Sequence, residues 1–293
     1  MTLIRNLSLI ALVTLTVFAC KDDDMTPTEQ DLTLNIQGLE DLGPDYAYEG
    51  WIMVDGAPKT TGVFTVDASG NLSQTTFSLD AEDLEKATAF ILTIEPSPDS
   101  DPAPSDVHIL AGDFNTDDAS LTVGDSRALG DDFTTSTGDY ILATPTNGAD
   151  SDEKSGVWWL DPAEGPGPGL DLPTLPAGWE YEGWAVIDGV PVTTGKFTDV
   201  TKADDSAPFS GSMAGPPFPG EDFLENAPAG LTFPVDLSEM VVVISVEPQP
   251  DNSPNPFLLK PLVGHVPANA PDHTLLNMDN NASASNPTGT ASK

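Results

Sequence analysis

Apolar residues in this 293-residue chain come in short runs, and turn formers cut the runs at close intervals. The runs occupy residues 48–54, 62–66, 89–94, 107–111, 140–144, 157–160, 182–187, 240–246 and 258–263. They are rich in β-branched and aromatic residues, with 28 prolines and 25 glycines spread along the chain. No window sustains the apolar stripe of an amphipathic helix. The pattern predicts strands bounded by turns, and so an all-β sandwich or barrel.

One run and its hairpin return almost intact. Residues 48–65 match residues 181–198 at twelve of eighteen positions, with a constant offset of 133. A match of this kind within one chain points to an internal duplication. Residues 48–54 are apolar on both alternating faces apart from Glu49, as in a strand covered on both sides. Asp55 and Gly56 supply a tight turn, Pro58 edges the next segment, and the chain returns through Gly62 and Phe64. Asp188, Gly189, Pro191, Gly195 and Phe197 repeat each device. A third matched strand ends in Glu95-Pro96 and in Glu247-Pro248, now offset by 152, and this offset holds as far as Gly112 and Gly264. The change places 19 extra residues of the second copy within 202–234, an irregular loop in which 222–226 suits a helical turn. Between the copies, 140–144 and 157–160 suggest a strand pair.

The expected fold is two duplicated antiparallel β-sandwich-like units, with a pseudo-symmetric pairing of the two as one arrangement it allows. The expected organisation is a signal peptide at 1–19, a lipidated cysteine and acidic tether at 20–36, and a first unit with an extra hairpin at 37–164. A Gly/Pro linker at 165–170, a second unit at 171–281 and a flexible tail at 282–293 follow.

The repeated residues resemble a known family. The order Tyr48, Trp51, Asp55, Gly56, Pro58, Gly62, Phe64, Asp67, then Glu95, Pro96 and Gly112, is similar to the C-terminal extracytoplasmic domain of anti-sigma-K factors. Tyr181, Trp184, Asp188, Gly189, Pro191, Gly195, Phe197, Glu247, Pro248 and Gly264 repeat it. In that family, sigma-factor inhibition resides in a cytoplasmic helical domain followed by a membrane helix. Neither is found in this sequence. The resemblance therefore implies a duplicated, free-standing form of the outer domain, without the part that grips a sigma factor.

The first residues add a location. Arg5 precedes an apolar run at 7–18 that is too short for an ordinary membrane span, and the run ends in Val17-Phe18-Ala19-Cys20. This resembles the lipobox of bacterial lipoproteins, and Cys20 is the single cysteine. Acylation of Cys20 would anchor the protein to membrane lipid. Lys21 and the aspartates 22–24 resemble the signal that sends Bacteroidetes-type lipoproteins to the outer face of the outer membrane, so an outer membrane lipoprotein facing the cell exterior is expected.

Charge narrows the partners. Forty-seven acidic against 10 basic residues give a net charge of −37. No basic patch exists to neutralise phosphates, so nucleic acid is not an expected partner. With 39% hydrophobic residues the chain is too apolar to be wholly disordered. The acidity fits a salt-adapted surface or, alternatively, cation binding.

Few residues carry recognisable chemistry. His108, His265 and His273 form no metal-binding pair, and there is no nucleophile elbow, phosphate loop or dinucleotide fingerprint. Residues 67–71 and 98–106 are oxygen-rich but lack calcium-loop spacing. No catalytic residue, metal ligand or cofactor is assigned. Glu95 and Glu247 each end an apolar strand. They suit carboxylates that cap a turn, with an acid–base pair across a symmetric interface as the other reading. Trp51 and Trp184 belong in the core. Trp158 and Trp159 are candidate ligand contacts, since strand alternation turns one ring outward. The sequence thus points to a non-catalytic envelope lipoprotein that binds a protein or glycan. A glycan-binding accessory protein and a carboxylate-dependent hydrolase are the alternatives.

Overall fold

A computed structural model describes residues 28–251 and 253–293. The expected signal peptide, Cys20 and the acidic run at 21–24 lie outside the described residues. The chain begins with β1 (Glu29–Gln37), β2 (Tyr46–Val54), β3 (Ala57–Phe64), β4 (Thr76–Asp80), helix α1 (Ala81–Lys86), β5 (Ala89–Pro96), β6 (His108–Asn115) and β7 (Asp118–Thr122). The middle holds β8 (Thr137–Leu142), β9 (Gly156–Trp158) and three two-residue ladders, β10 (Leu160–Asp161), β11 (Gly167–Pro168) and β12 (Leu170–Asp171). Then come β13 (Trp179–Ile187), β14 (Val190–Phe197), β15 (Gly220–Asp222), β16 (Val241–Pro248) and β17 (Leu262–His265). The chain ends with β18 (Leu276–Asn277), β19 (Asp279–Asn280), helix α2 (Ala282–Ser285) and β20 (Thr288–Ser292). The fold is all-β, as expected.

Eight strands form one antiparallel sheet in the order β3-β2-β5-β6-β7-β20-β1-β4, and its edge strands β3 and β4 approach each other, so the sheet is nearly a barrel. A five-stranded sheet, β14-β13-β16-β17-β19, repeats the first four positions of that order. A third sheet, β12-β8-β9-β15, lies off both.

The repeated residues make repeated geometry. Asp55 and Gly56 have φ of 52° and 80°, and Asp188 and Gly189 have 51° and 83°. Two successive positive values turn a two-residue hairpin with the twist its strands need. Both hairpins carry a bulge, between Gly50 and Trp51 and between Gly183 and Trp184. A Cβ on Gly50 would lie 2.4 Å from the Thr61 hydroxyl, and one on Gly183 would lie 2.3 Å from the Thr194 hydroxyl. Close strand approach therefore admits only glycine at both sites.

The boundaries of the two units differ from expectation. Residues 29–37 are a strand rather than a tether, because Leu32, Leu34 and Ile36 alternate inward and are buried. The tail expected to be flexible from 282 carries α2 and β20, with Ala282 and Ala291 buried. β20 lies between β7 and β1, so the last strand of the chain completes the first repeat's sheet. One buried apolar cluster runs through both halves, from Leu32 past Tyr48, Phe90, Trp159 and Tyr181 to Ala291. The strand pair expected at 140–144 and 157–160 is present as β8 and β9, with Ile141 opposite Trp158. No helical turn forms at 222–226. Gly220–Asp222 pairs with β9 instead, and Phe223 packs against Phe209 and Phe233.

Candidate functional site

Each repeat contains the same buried polar relay. In the first, Trp51 Nε1 donates to the Thr93 hydroxyl at 2.9 Å, and that hydroxyl donates to Glu95 Oε1. Glu95 then accepts the backbone N–H of Ser105, 2.9 Å from Oε1 and 3.2 Å from Oε2. In the second, Trp184 Nε1 donates to the Ser245 hydroxyl at 2.8 Å, Ser245 donates to Glu247 Oε1, and Phe257 N–H reaches the same oxygen at 2.9 Å. The indole has only a donor, so the hydroxyl must accept from it and pass its own proton onward. A carboxylate at the strand end completes that chain and fixes the following loop. Trp51 and Trp184 are core residues, as expected, and Glu95 and Glu247 cap turns. Phe64 stacks on Tyr48 and Phe197 on Tyr181, each at 5.6 Å between ring centres.

The two repeats meet around a cavity of about 400 Å³. The first contributes Glu40, Tyr46, Ile94, Pro96 and Val107; the second contributes Glu247, Pro248, Pro250, Asp251 and Phe257. Its volume lies within the usual range for a ligand site, and its walls are largely apolar with a few carboxylates. Glu95 does not line it. The alternative reading, an acid–base pair of Glu95 with Glu247, is therefore not what the structure assembles: each glutamate accepts hydrogen bonds from the loop of its own repeat, and only Glu247 reaches the cavity.

Glu247 has other acidic neighbours instead. Glu182, Glu247 and Asp251 each offer a carboxylate oxygen within 4.8 Å of the others. Glu247 is fully buried, which raises its pKa to about 8; hydrogen bonds from Ser245 and Phe257 oppose the rise, and Glu182 and Asp251 add to it. Burial lifts Glu182 to about 7 against hydrogen bonding to Thr193 and the charge of Lys196. Lys196 Nζ lies 3.0 Å from Asp251 and 3.3 Å from Glu180. On the opposite wall, burial raises Glu40 to about 7, partly offset by Lys260. These groups were not legible as a site in the sequence. The signal that could have found Asp251 was its place in the 152-residue offset, opposite Asp99.

The tryptophans expected to contact ligand are buried, Trp158 at 4% exposure and Trp159 at 0%. Strand alternation does not turn either outward, because β9 stops at Trp158 and the second copy's extra loop covers that ring. A Cβ on Gly220 would lie 2.6 Å from it. Trp158 Nε1 donates to Asp222 at 2.7 Å. Asp222 also accepts the Thr146 N–H at 2.8 Å, and Asp204 accepts the Gly220 N–H at 2.8 Å. The buried Asp222 and the half-buried Asp204 thus pin the inserted loop, a role that sequence reasoning missed. The 67–71 turn is held by its own atoms: Asp67 accepts the N–H groups of Ser69 and Asn71 at 2.8 and 3.0 Å. His108 Nδ1 lies 2.7 Å from the Arg127 carbonyl, a structural contact.

Residues 23–108 match the family model of the anti-sigma-K factor rskA, C-terminal. The match takes in the motif from Tyr48 to Pro96, while Gly112 and the second repeat lie outside the matched residues. No curated protein and no solved structure matches the chain.

Proposed function

We propose that this protein is a non-catalytic binding or interaction module of the cell envelope, anchored to the outer membrane through acylated Cys20 and facing the exterior. The match at 23–108 is to an extracytoplasmic domain of a regulatory protein, which supports a place outside the cytoplasm. Among the described residues the α-helices are Ala81–Lys86 and Ala282–Ser285, and neither is long or apolar enough to cross a membrane. A helical sigma-binding domain therefore has no counterpart among these residues.

The observation that carries the binding role is the cavity between the repeats. Its walls pair apolar surface from Ile94, Pro96, Pro248 and Phe257 with carboxylates at Glu40, Asp41, Asp45 and Asp251. Such a surface complements an apolar side chain flanked by a basic group, so the preferred partner is an envelope polypeptide. The glycan alternative leaned on an exposed Trp158 or Trp159, and both are buried.

Capture from native envelope tests this with the full chain and Asp45→Lys as bait. Asp45 is exposed at the cavity wall, so the substitution spares the core. A stoichiometric polypeptide held by the wild type and lost with Asp45→Lys supports the reading. Equal capture by both, or recovery of polysaccharide alone, refutes it. Anchoring is checked separately: Cys20→Ser should abolish labelling by a fatty-acid analogue and release the protein from membranes.

A further inference from the structure

We propose that the second repeat binds one calcium ion between Glu182 on β13, Glu247 at the end of β16 and Asp251 in the loop that follows. The site shares Glu247 and Asp251 with the cavity wall but needs neither the first repeat's wall nor an envelope polypeptide.

The spacing fits the ion. One oxygen from each residue lies within 4.8 Å of the other two. Two oxygens held by one calcium at ~2.4 Å can be up to ~4.8 Å apart, so the three carboxylates are close enough to share such an ion. An all-oxygen, carboxylate-rich set selects a hard cation over zinc or copper.

Clustered acids are expected on a chain of net charge −37, and alone they would mean nothing. This cluster differs by being buried with open valences. Glu182 is 3% exposed and Glu247 0%, and Oε2 of each has no hydrogen-bond partner among the described residues. Glu247 Oε1 is already taken by the Ser245 hydroxyl and the Phe257 N–H. An unpartnered carboxylate oxygen in the interior is costly, and two beside one another repel. A divalent ion satisfies both and removes the repulsion. The Lys196 ammonium pairs with Asp251 and Glu180 and its charge also acts on Glu182, so it is the cation that a bound ion would compete with.

The first repeat is an internal control. Its equivalent residues are Glu49, Glu95 and Asp99, at the same two offsets. There Ser105 N–H reaches both oxygens of Glu95, and Asp99 is exposed and accepts from Asp101 N–H at 2.9 Å. With its carboxylates used in this way, the first repeat offers no matching open site.

Calorimetric titration of the full chain with calcium chloride, and with magnesium chloride for comparison, tests the proposal. About 0.5 M sodium chloride suppresses diffuse binding to the acidic surface. The expected result is one saturable calcium site per chain, tighter than magnesium. It should weaken at least about tenfold in Glu182→Gln, since even residues that only support a ligand are worth that much. Glu49→Gln should leave it unchanged, and Lys196→Met should tighten it by removing a competing cation. Asp251→Asn, in a partly exposed loop, repeats the loss if Glu182→Gln does not fold. Absence of a saturable site would overturn the proposal, as would equal weakening by Glu49→Gln. Loss of binding in Lys196→Met would do the same, because it would make the lysine part of the site.

Discussion

A single carboxylate holds a loop in each repeat, and its worth can be measured. Glu95 accepts from Thr93 and Ser105, so Glu95→Ala leaves a buried hydroxyl and a backbone N–H without their acceptor. A loss of about 1–3 kcal/mol is expected from urea unfolding, with a smaller loss for Glu95→Gln, which keeps one acceptor oxygen. A loss within error for Glu95→Ala would show that the relay does not stabilise the fold. Glycine at the bulge is testable in the same way. The Cβ of Gly183→Ala would meet the Thr194 hydroxyl at 2.3 Å and the Trp159 ring at 2.5 Å. Overpacking of this kind costs about 1–3 kcal/mol, read from the shift in urea midpoint. The turn glycines, the paired prolines and the core tryptophans were all legible, because their roles are set by backbone geometry within a few residues. The burial of Trp158 was not, since it depends on a loop some 60 residues further along that the 157–160 run does not reveal.

At the scale of elements, the strands of the repeated hairpins follow directly from short apolar runs between turns. β1 and β20 escaped because neither is apolar throughout. β1 alternates Leu32, Leu34 and Ile36 with polar residues, and β20 (Thr288–Ser292) is made of small polar residues with only Ala291 buried. A strand of that composition is held by its neighbours: Thr290 lies opposite Asn35 on one side and Ser120 on the other. Ending the chain at residue 287 would expose the edges of β7 and β1 together. Unpaired edges recruit other chains. The truncated protein is therefore expected to aggregate or to lose cooperative unfolding by circular dichroism. A monomer that unfolds like the full chain would show that β20 is dispensable.

At the scale of the molecule, charge and burial act in the same direction. Burial raises the pKa of Asp204 from 3.8 to about 7 and that of Glu221 from 4.5 to about 7. The folded state therefore holds protons that the unfolded chain releases. The stability this contributes is full below about pH 4 and is lost as pH rises through 7. In chelator, the melting temperature is expected to fall between pH 5 and pH 8. Self-repulsion of the −37 net charge has the same sign, but added sodium chloride screens it. At about 1 M salt the remaining slope should flatten in the Asp204→Asn, Glu221→Gln double variant. An unchanged slope would assign the effect elsewhere.

The repeats are joined by a shared core and a crossing C-terminal strand, and they leave one cavity where their equivalent ends meet. The proposed function requires that a partner dock in that cavity. The most direct measurement is photo-crosslinking in intact cells, with benzoyl-phenylalanine placed at Asp45 on the cavity wall and, as a control, at the exposed Met213. One discrete envelope polypeptide is expected to be joined through position 45 and not through position 213. Equal adducts at both positions, or none at position 45, would contradict docking in the cavity.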